Sequence, residues 1–131
     1  MNKSRMIQII VGVLLFSTKA YALEPVAGCR EGDYVEVRGN PAVSIGFEGM
    51  SYTPRCLIVK VSTPITMAAS RTHPLLGMAP IGGMENPLAN SPAATTTKTV
   101  IFTQPGQYGY FCETHGNAAG NGMAGAIIVV E

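Results

Sequence analysis

Short runs of β-branched and aromatic residues, separated by residues typical of turns, recur along most of the chain. Residues 34–38 and 43–47 mix apolar with polar or charged positions, and the breaker Gly39-Asn40-Pro41 separates them. Such runs are typical of strands with one solvent-facing side, so both are predicted outer strands. After its first 22 residues the chain shows no convincing amphipathic helix and no internal repeat.

Five further runs predict strands, and the more apolar of them should be buried on at least one face. They are residues 56–61, 64–69, 95–103, 108–112 and 126–130. Residues 77–92 are rich in proline and glycine and follow no period, which predicts a long loop. About seven to eight short strands in one domain of this size are typical of an all-β fold, a Greek-key β-sandwich or barrel.

The N-terminal residues have the three parts of a secretory signal peptide. Lys3 and Arg5 give a positive start, residues 6–16 are mostly apolar, and Ala20-Tyr21-Ala22 has the small-x-small form of a cleavage site. This apolar run of eleven residues is too short to span a bilayer. We therefore predict a signal peptide at residues 1–22, cleavage after Ala22, a periplasmic or secreted protein and a single mature domain at residues 23–131.

An alternative interpretation of the N-terminal region gives the protein a lipid anchor. Val26-Ala27-Gly28-Cys29 resembles a lipoprotein box, which would place a lipid on the cysteine sulfur. Such a box should follow the apolar run directly, whereas Lys19, Glu24 and Pro25 intervene here. The signal peptide cut after Ala22 is the favoured interpretation.

Charge excludes several kinds of partner. Cleavage removes Lys3, Arg5 and Lys19, which leaves six basic against eight acidic residues and a formal charge near minus two. The mature chain has no basic cluster of the kind that binds nucleic acid and no second apolar stretch long enough to cross a membrane. We expect a monomer with no nucleic-acid partner and no membrane span.

The candidate chemistry lies in the last quarter of the chain. Cys112, His115 and Met123 stand in a connection rich in glycine and alanine between two strand-forming runs. Thiolate and thioether select copper(I), and two histidines, one cysteine and a weak axial methionine are the recurring ligands of electron-transfer copper sites. Zinc held by the cysteine and histidines is a less favoured possibility.

His73 is the only other histidine, and it lies 39 residues before Cys112. A histidine by itself is more often a surface or hydrogen-bonded core residue than a ligand. A β-sandwich, however, brings remote strand ends together at one pole, and His73 follows an apolar strand. We therefore predict His73, Cys112, His115 and Met123 as the metal ligands.

Several of these motifs together resemble the cupredoxins, in particular the small plastocyanin- and azurin-like blue copper proteins. The motifs are Tyr52-Thr53-Pro54 with the following Leu57-Ile58-Val59-Lys60-Val61, His73-Pro74-Leu75, Pro105-Gly106-Gln107-Tyr108, Phe111-Cys112-Glu113-Thr114-His115, Gly122-Met123-Ala124-Gly125 and Ile127-Ile128-Val129-Val130. The resemblance covers most of the mature chain from about Val43. It implies one type-1 copper ion with ring nitrogens from His73 and His115, the thiolate of Cys112 and a long axial sulfur from Met123.

The chain departs from the family pattern at two places. Seven residues separate His115 from Met123, a longer gap than most relatives have, so Met78, Met84 or a backbone carbonyl remains an alternative axial ligand. Pro74 stands where many relatives have an asparagine whose backbone N–H donates to the cysteine sulfur. Because proline has no N–H, the resemblance implies one hydrogen bond fewer at that sulfur.

The other two cysteines remain for a disulfide if Cys112 binds metal. Cys29 and Cys56 would pair in an oxidising compartment, and closing a loop of this length contributes roughly 3–4 kcal/mol in the chain-entropy model. The alternative is one buried and one exposed free thiol. Some branches of the family that the chain resembles also have a disulfide near the N-terminus.

The resemblance implies an exported carrier of single electrons between redox partner proteins. Partners should dock at an apolar pole near His115, for which the candidates are Met78, Pro80, Ile81, Gly116, Ala118, Ala119 and Gly120. The alternative function is copper tolerance or delivery, with which Met67, Met78, Met84 and Met123 are compatible. An enzyme of the oxidase or reductase type is disfavoured, because two histidines are too few for further copper centres.

Overall fold

A computed structural model describes residues 25–90 and 92–131, in which nine strands form two sheets. The predicted signal peptide therefore lies outside the described residues. The strands are β1 Val35–Glu36, β2 Val43–Glu48, β3 Ser51–Thr53, β4 Cys56–Lys60, β5 Pro64–Met67, β6 Leu75–Gly77, β7 Lys98–Ile101, β8 Gly106–Gly116 and β9 Gly122–Val130. The only helical element among these residues is a 3₁₀ turn at Glu31–Asp33, and no helix there could cross a membrane.

The two sheets pack as a β-sandwich, which confirms the predicted all-β fold. One sheet has the order β1-β4-β9-β8-β6 and the other the order β3-β2-β5-β7, so the chain passes repeatedly from one sheet to the other. Two strands were not predicted from the sequence, β3 and β6. Each has three residues, too few to show a period of two.

Alternation along β8 divides the apolar residues between two faces of the larger sheet. Tyr108, Tyr110 and Cys112 face the main core between the sheets, and all three are buried. Phe111 faces the opposite side and joins a second buried cluster. That cluster consists of Val26, Ala27, Cys29, Cys56, Phe111, Ala124 and Ala126. The N-terminal segment thus covers the outer face of the larger sheet.

A disulfide fastens that segment to the sandwich. Cys29 and Cys56 are bonded with an S–S distance of 2.06 Å, which confirms the predicted pairing, and Cys112 is the free cysteine. With its sulfur in this bond, Cys29 has no thiol for a lipid, so the lipoprotein interpretation is wrong. Because residues 26–29 precede β1, the disulfide ties the start of the described chain to the start of β4.

The long loop after β6 lies along the middle of β8. Strand β6 runs antiparallel to β8, with Leu75 opposite Cys112 and Gly77 opposite Tyr110. The buried amide of Asn86 then donates to the carbonyls of Met78 and Gly109, at 3.0 and 2.8 Å. The loop therefore leads away from the end of β8 that holds Cys112.

Candidate metal centre

Strand directions bring three connections together at one end of the sandwich, here called the site pole. It consists of residues 48–51 between β2 and β3, residues 68–74 between β5 and β6, and residues 116–122 between β8 and β9. Strands β2 and β5 run parallel and both lead to this pole, while β8 ends there and β9 begins there. Ligands that are far apart in sequence can thus meet.

His73 is held in place by a short hydrogen-bonded turn. Its backbone N–H donates to Ser70 Oγ at 3.0 Å, and its carbonyl accepts from the Ser70 N–H at 3.1 Å. Leu75, two residues later, pairs with Cys112 on β8. The turn and the strand pairing together place the imidazole of His73 beside the sulfur of Cys112.

Three predicted ligand residues form a compact cluster of donor atoms. His73 Nδ1 and His115 Nδ1 are 3.1 Å apart, and Cys112 Sγ lies 3.8 Å from the first and 3.7 Å from the second. The point equidistant from the three atoms is about 2.1 Å from each. Bonds from a metal ion to imidazole nitrogen and thiolate sulfur are about 2.0–2.3 Å long, so the cluster has the size that such an ion needs. Two imidazoles and one thiolate in this arrangement fit a single copper ion.

The cluster is buried on its sulfur side and partly accessible on its imidazole side. Cys112 has no exposed surface, whereas His73 and His115 are partly buried. The ring of Phe47, which the sequence did not single out, packs on His73 with centroids 4.5 Å apart. The two imidazole rings contact each other at 4.9 Å. An ion held here would be shielded by apolar groups except along the edges of the histidines.

The surroundings of Cys112 are largely apolar and aromatic. Tyr52 packs edge-on against Tyr110, with ring centroids 4.8 Å apart. The Tyr52 hydroxyl is buried and has no hydrogen-bond partner among the described residues. Burial raises the pKa of Tyr52, and the charge of Cys112 raises that pKa further. Tyr52 therefore stays neutral at physiological pH and adds no charge beside the sulfur.

Pro74 has no backbone N–H, so position 74 offers no hydrogen-bond donor to the Cys112 sulfur. Its carbonyl accepts the backbone N–H of Glu113 at 2.9 Å, so Pro74 lies directly beside β8 next to Cys112. The hydrogen-bond-length neighbours of Cys112 Sγ among the described residues are the two histidine nitrogens. This agrees with the expectation of one hydrogen bond fewer at this sulfur.

A wide bulge explains how His115 and Met123 reach the cluster. Phe111 pairs with Ala124 and Gly116 pairs with Gly122, so four residues of β8 lie opposite Met123 alone. The strand therefore continues past Cys112 to Gly116, whereas the sequence predicted a strand that ends at Cys112. Glycine is required at both ends of the bulge, because a Cβ on Gly116 would collide with the Met123 carbonyl and one on Gly122 with the His115 carbonyl.

The extra length between His115 and Met123 forms a separate lobe, residues 117–121. The side-chain oxygen of Asn117 accepts the backbone N–H groups of Ala119 and Asn121 at 3.0 and 3.3 Å. The Asn117 N–H in turn donates to the Asn121 carbonyl at 3.2 Å. Because the Gly116–Gly122 pairing closes the lobe at its base, the added residues do not move Met123 away from His115.

The three candidate axial methionines lie in different parts of the sandwich. Met123 is buried in the main core together with Cys112. Met78 packs on the opposite face of the larger sheet, over Gly109 and Val26. Met84 lies beside Gly106. Gly106 precedes Cys112 by six residues on β8, which is about 20 Å along the strand. Of the three, Met123 is the one placed to approach the cluster.

The predicted apolar docking surface is only partly present at the site pole. Ala118 and Ala119 are exposed in the lobe that follows His115. Met78 and Ile81 pack against the second buried cluster along the middle of β8, so their inclusion in this surface is wrong. The cause is the direction of β6, which carries the chain away from the pole. The structure adds Met50, which is 63% exposed in the turn between β2 and β3.

Comparisons with known proteins found similar folds among solved structures. No protein-family model and no curated protein sequence matches the chain. A pseudoazurin from Methylobacterium extorquens AM1 superposes with a TM-score of 0.51 and 22% identity, over 69% of this chain and 76% of its own. A point mutant of amicyanin in its reduced state gives a TM-score of 0.50 and 24% identity, over 68% of this chain and 82% of its own.

A copper-containing nitrite reductase from Thermus scotoductus SA-01 superposes with a TM-score of 0.55 and 20% identity. The match covers 76% of this chain but only 28% of the reductase. At these identities the three likenesses show a shared fold.

Proposed function

We propose that this chain, whose fold is that of the cupredoxins, carries single electrons by means of one type-1 copper ion. The observation that carries the proposal is the convergence of His73 Nδ1, His115 Nδ1 and Cys112 Sγ around one point. When bound, copper supplies the one-electron couple between Cu(I) and Cu(II). Met123 is the proposed axial ligand, because it shares the main core with Cys112.

The protein's contribution is to hold the donor atoms in one arrangement. Cys112 is on β8, His115 is fixed by the bulge between β8 and β9, and His73 is fixed by its turn and by the pairing of β6 with β8. The two oxidation states of copper prefer different geometries. Ligands fixed by strands and turns move little when the copper changes oxidation state. Such a site favours rapid electron transfer over slow metal exchange.

The arrangement of methionines favours electron transfer over copper delivery. Met67 and Met123 are buried, and Met78 and Met84 are packed against the two buried clusters. Met50 is exposed at the site pole, but one methionine does not form an exposed tract from which copper could pass to an acceptor. We also propose no enzymatic role, because both histidines of the chain belong to this one site.

The protein should work in an oxidising compartment. The Cys29–Cys56 disulfide supports this, because such bonds persist in the periplasm and outside the cell. Together with the signal-like residues 1–22, it supports export with cleavage after Ala22. N-terminal sequencing of the protein purified from its own cells should begin at Leu23; a start at Met1 would contradict export by cleavage.

Redox partners are proposed to dock at the site pole, where an imidazole edge of His115 is accessible. The exposed side chains beside it, Ala118 and Ala119, are small and uncharged, and Met50 adds apolar surface. A contact of this kind brings the partner close to the ligands without strong long-range attraction. The encounter should be brief and only mildly sensitive to salt.

Copper loading tests the proposed function directly. The mature protein titrated with Cu(II) should bind one ion with an intense sulfur-to-copper absorption band and give a fast, reversible one-electron wave in voltammetry. The Cys112→Ser variant should lose the band, and a control substitution, Thr63→Ser at a buried residue between β4 and β5, should keep it. A slow or irreversible wave with ready transfer of copper to a chelator would instead favour the copper-handling function, and failure of copper to bind at these residues and give the band would contradict both.

The axial assignment is tested by a pair of methionine substitutions. Met123→Leu should retain copper and raise the reduction potential by on the order of 50–100 mV, because loss of a weak sulfur ligand removes about 1–2 kcal/mol of Cu(II) stabilisation. Met78→Leu, on the other face of the sheet, should leave the potential unchanged. Equal potentials in wild type and Met123→Leu would remove Met123 as a ligand.

Docking at the site pole is tested by electron self-exchange between copies of the copper-loaded protein. Met50→Glu places a negative charge at the pole, and self-exchange at low salt should slow by about tenfold through like-charge repulsion. Ile101→Glu is the matched control, since Ile101 is 50% exposed and lies at the opposite end, opposite Pro64. Equal slowing in both variants would place the contact elsewhere.

A further inference from the structure

The lobe at residues 117–121 rests on the N-terminal turn at residues 26–29. Gly120 is buried although its neighbours Ala118, Ala119 and Asn121 are exposed. Its φ is +83°, and a Cβ there would lie 2.8 Å from Ala27 Cα and 3.0 Å from Ala27 N. The two backbones are therefore in direct contact, which only glycine at position 120 allows.

The turn is itself anchored by three independent interactions. Cys29 N–H donates to the Val26 carbonyl at 2.8 Å and closes the turn, in which Ala27 has a φ of 52°. The disulfide fixes Cys29 to Cys56 at the start of β4. The guanidinium of Arg55 donates from Nη1 to the Ala27 carbonyl at 3.0 Å. The surface that Gly120 contacts is thus firmly attached to the larger sheet.

The lobe connects this surface to the candidate ligands. Gly120 N–H donates to the Asn117 carbonyl at 2.9 Å, so Gly120 and Asn117 are parts of one hydrogen-bonded unit. The base of that unit is the Gly116–Gly122 pair, whose members directly follow His115 and directly precede Met123. A displacement of the lobe would therefore be passed to both residues.

We propose that the disulfide-anchored turn 26–29 is a brace that holds the lobe and thereby positions His115 and Met123, with Gly120 and Arg55 as positioning residues. An insertion between two ligands ordinarily loosens a site, because a longer loop has more conformations. Contact with the brace removes that freedom. The identity of the ion rests on the proposed function, but the brace acts on the protein itself.

Amide hydrogen exchange in the metal-free protein tests the brace without copper. Gly120→Ala should force the lobe off Ala27, and Arg55→Met should release the Ala27 carbonyl. In both variants the amides of residues 117 and 120 should exchange about ten- to a hundredfold faster, because Arg55→Met loses a charged hydrogen bond and Gly120→Ala loses the backbone contact with Ala27. Core amides such as that of Ile127 should be unchanged, which shows that the fold is intact.

Two control variants match these changes. Gly83→Ala carries the same positive-φ penalty as Gly120→Ala, since Gly83 has a φ of 77° with no atom within 4 Å of its added Cβ. Arg38→Met removes an exposed arginine that pairs with Glu36 at 2.7 Å. Lobe amides that exchange no faster in Gly120→Ala and Arg55→Met than in these controls would overturn the brace.

A second readout separates positioning from simple loop stability. In the copper-loaded protein, Gly120→Ala and Arg55→Met should shift the sulfur-to-copper absorption band or the reduction potential, and the controls should not. Faster exchange with an unchanged band and potential would overturn the positioning role. If the wild type takes up no copper at His73, Cys112 and His115, the proposed function fails, while the exchange rates still decide whether the brace exists.

Discussion

The pairing of Gly116 with Gly122 is the constraint on which the candidate site depends. It ends a bulge in which four residues of β8 face Met123, and it brings His115 back beside Cys112. A side chain at either glycine would collide with a backbone carbonyl of the bulge. The strand pairing itself therefore sets the relative positions of His115 and Met123, and the lobe that follows Gly116 acts on both residues through this pair.

A second constraint is the unequal burial of the donor atoms. The sulfur of Cys112 lies in the core, near the buried and neutral Tyr52, while His73 and His115 reach the surface at the site pole. A thiolate in apolar surroundings is costly unless a cation offsets its charge. A metal ion at the point between the three donors would provide that charge. The partly accessible imidazoles would offer a short route from a bound ion to the docked protein proposed above.

Much of the fold and of the site could be predicted from the sequence because it depends on local patterns. Apolar and β-branched runs indicated most of the strands, including the one that carries Cys112, and a histidine after an apolar strand indicated the pole where His73 lies. The lobe, the brace and the positions of Met78 and Ile81 could not be predicted. They depend on the direction of β6, on the side-chain hydrogen bonds of Asn117 and on a backbone contact of Gly120, none of which leaves a periodic signal.

X-ray absorption at the copper edge of the loaded mature protein tests the central claim most directly, because it counts the atoms bonded to the ion. The site described here predicts two nitrogen neighbours and one close sulfur neighbour in the wild type, and loss of the close sulfur in Cys112→Ser. A copper ion surrounded by nitrogen and oxygen alone in the wild type would contradict the account.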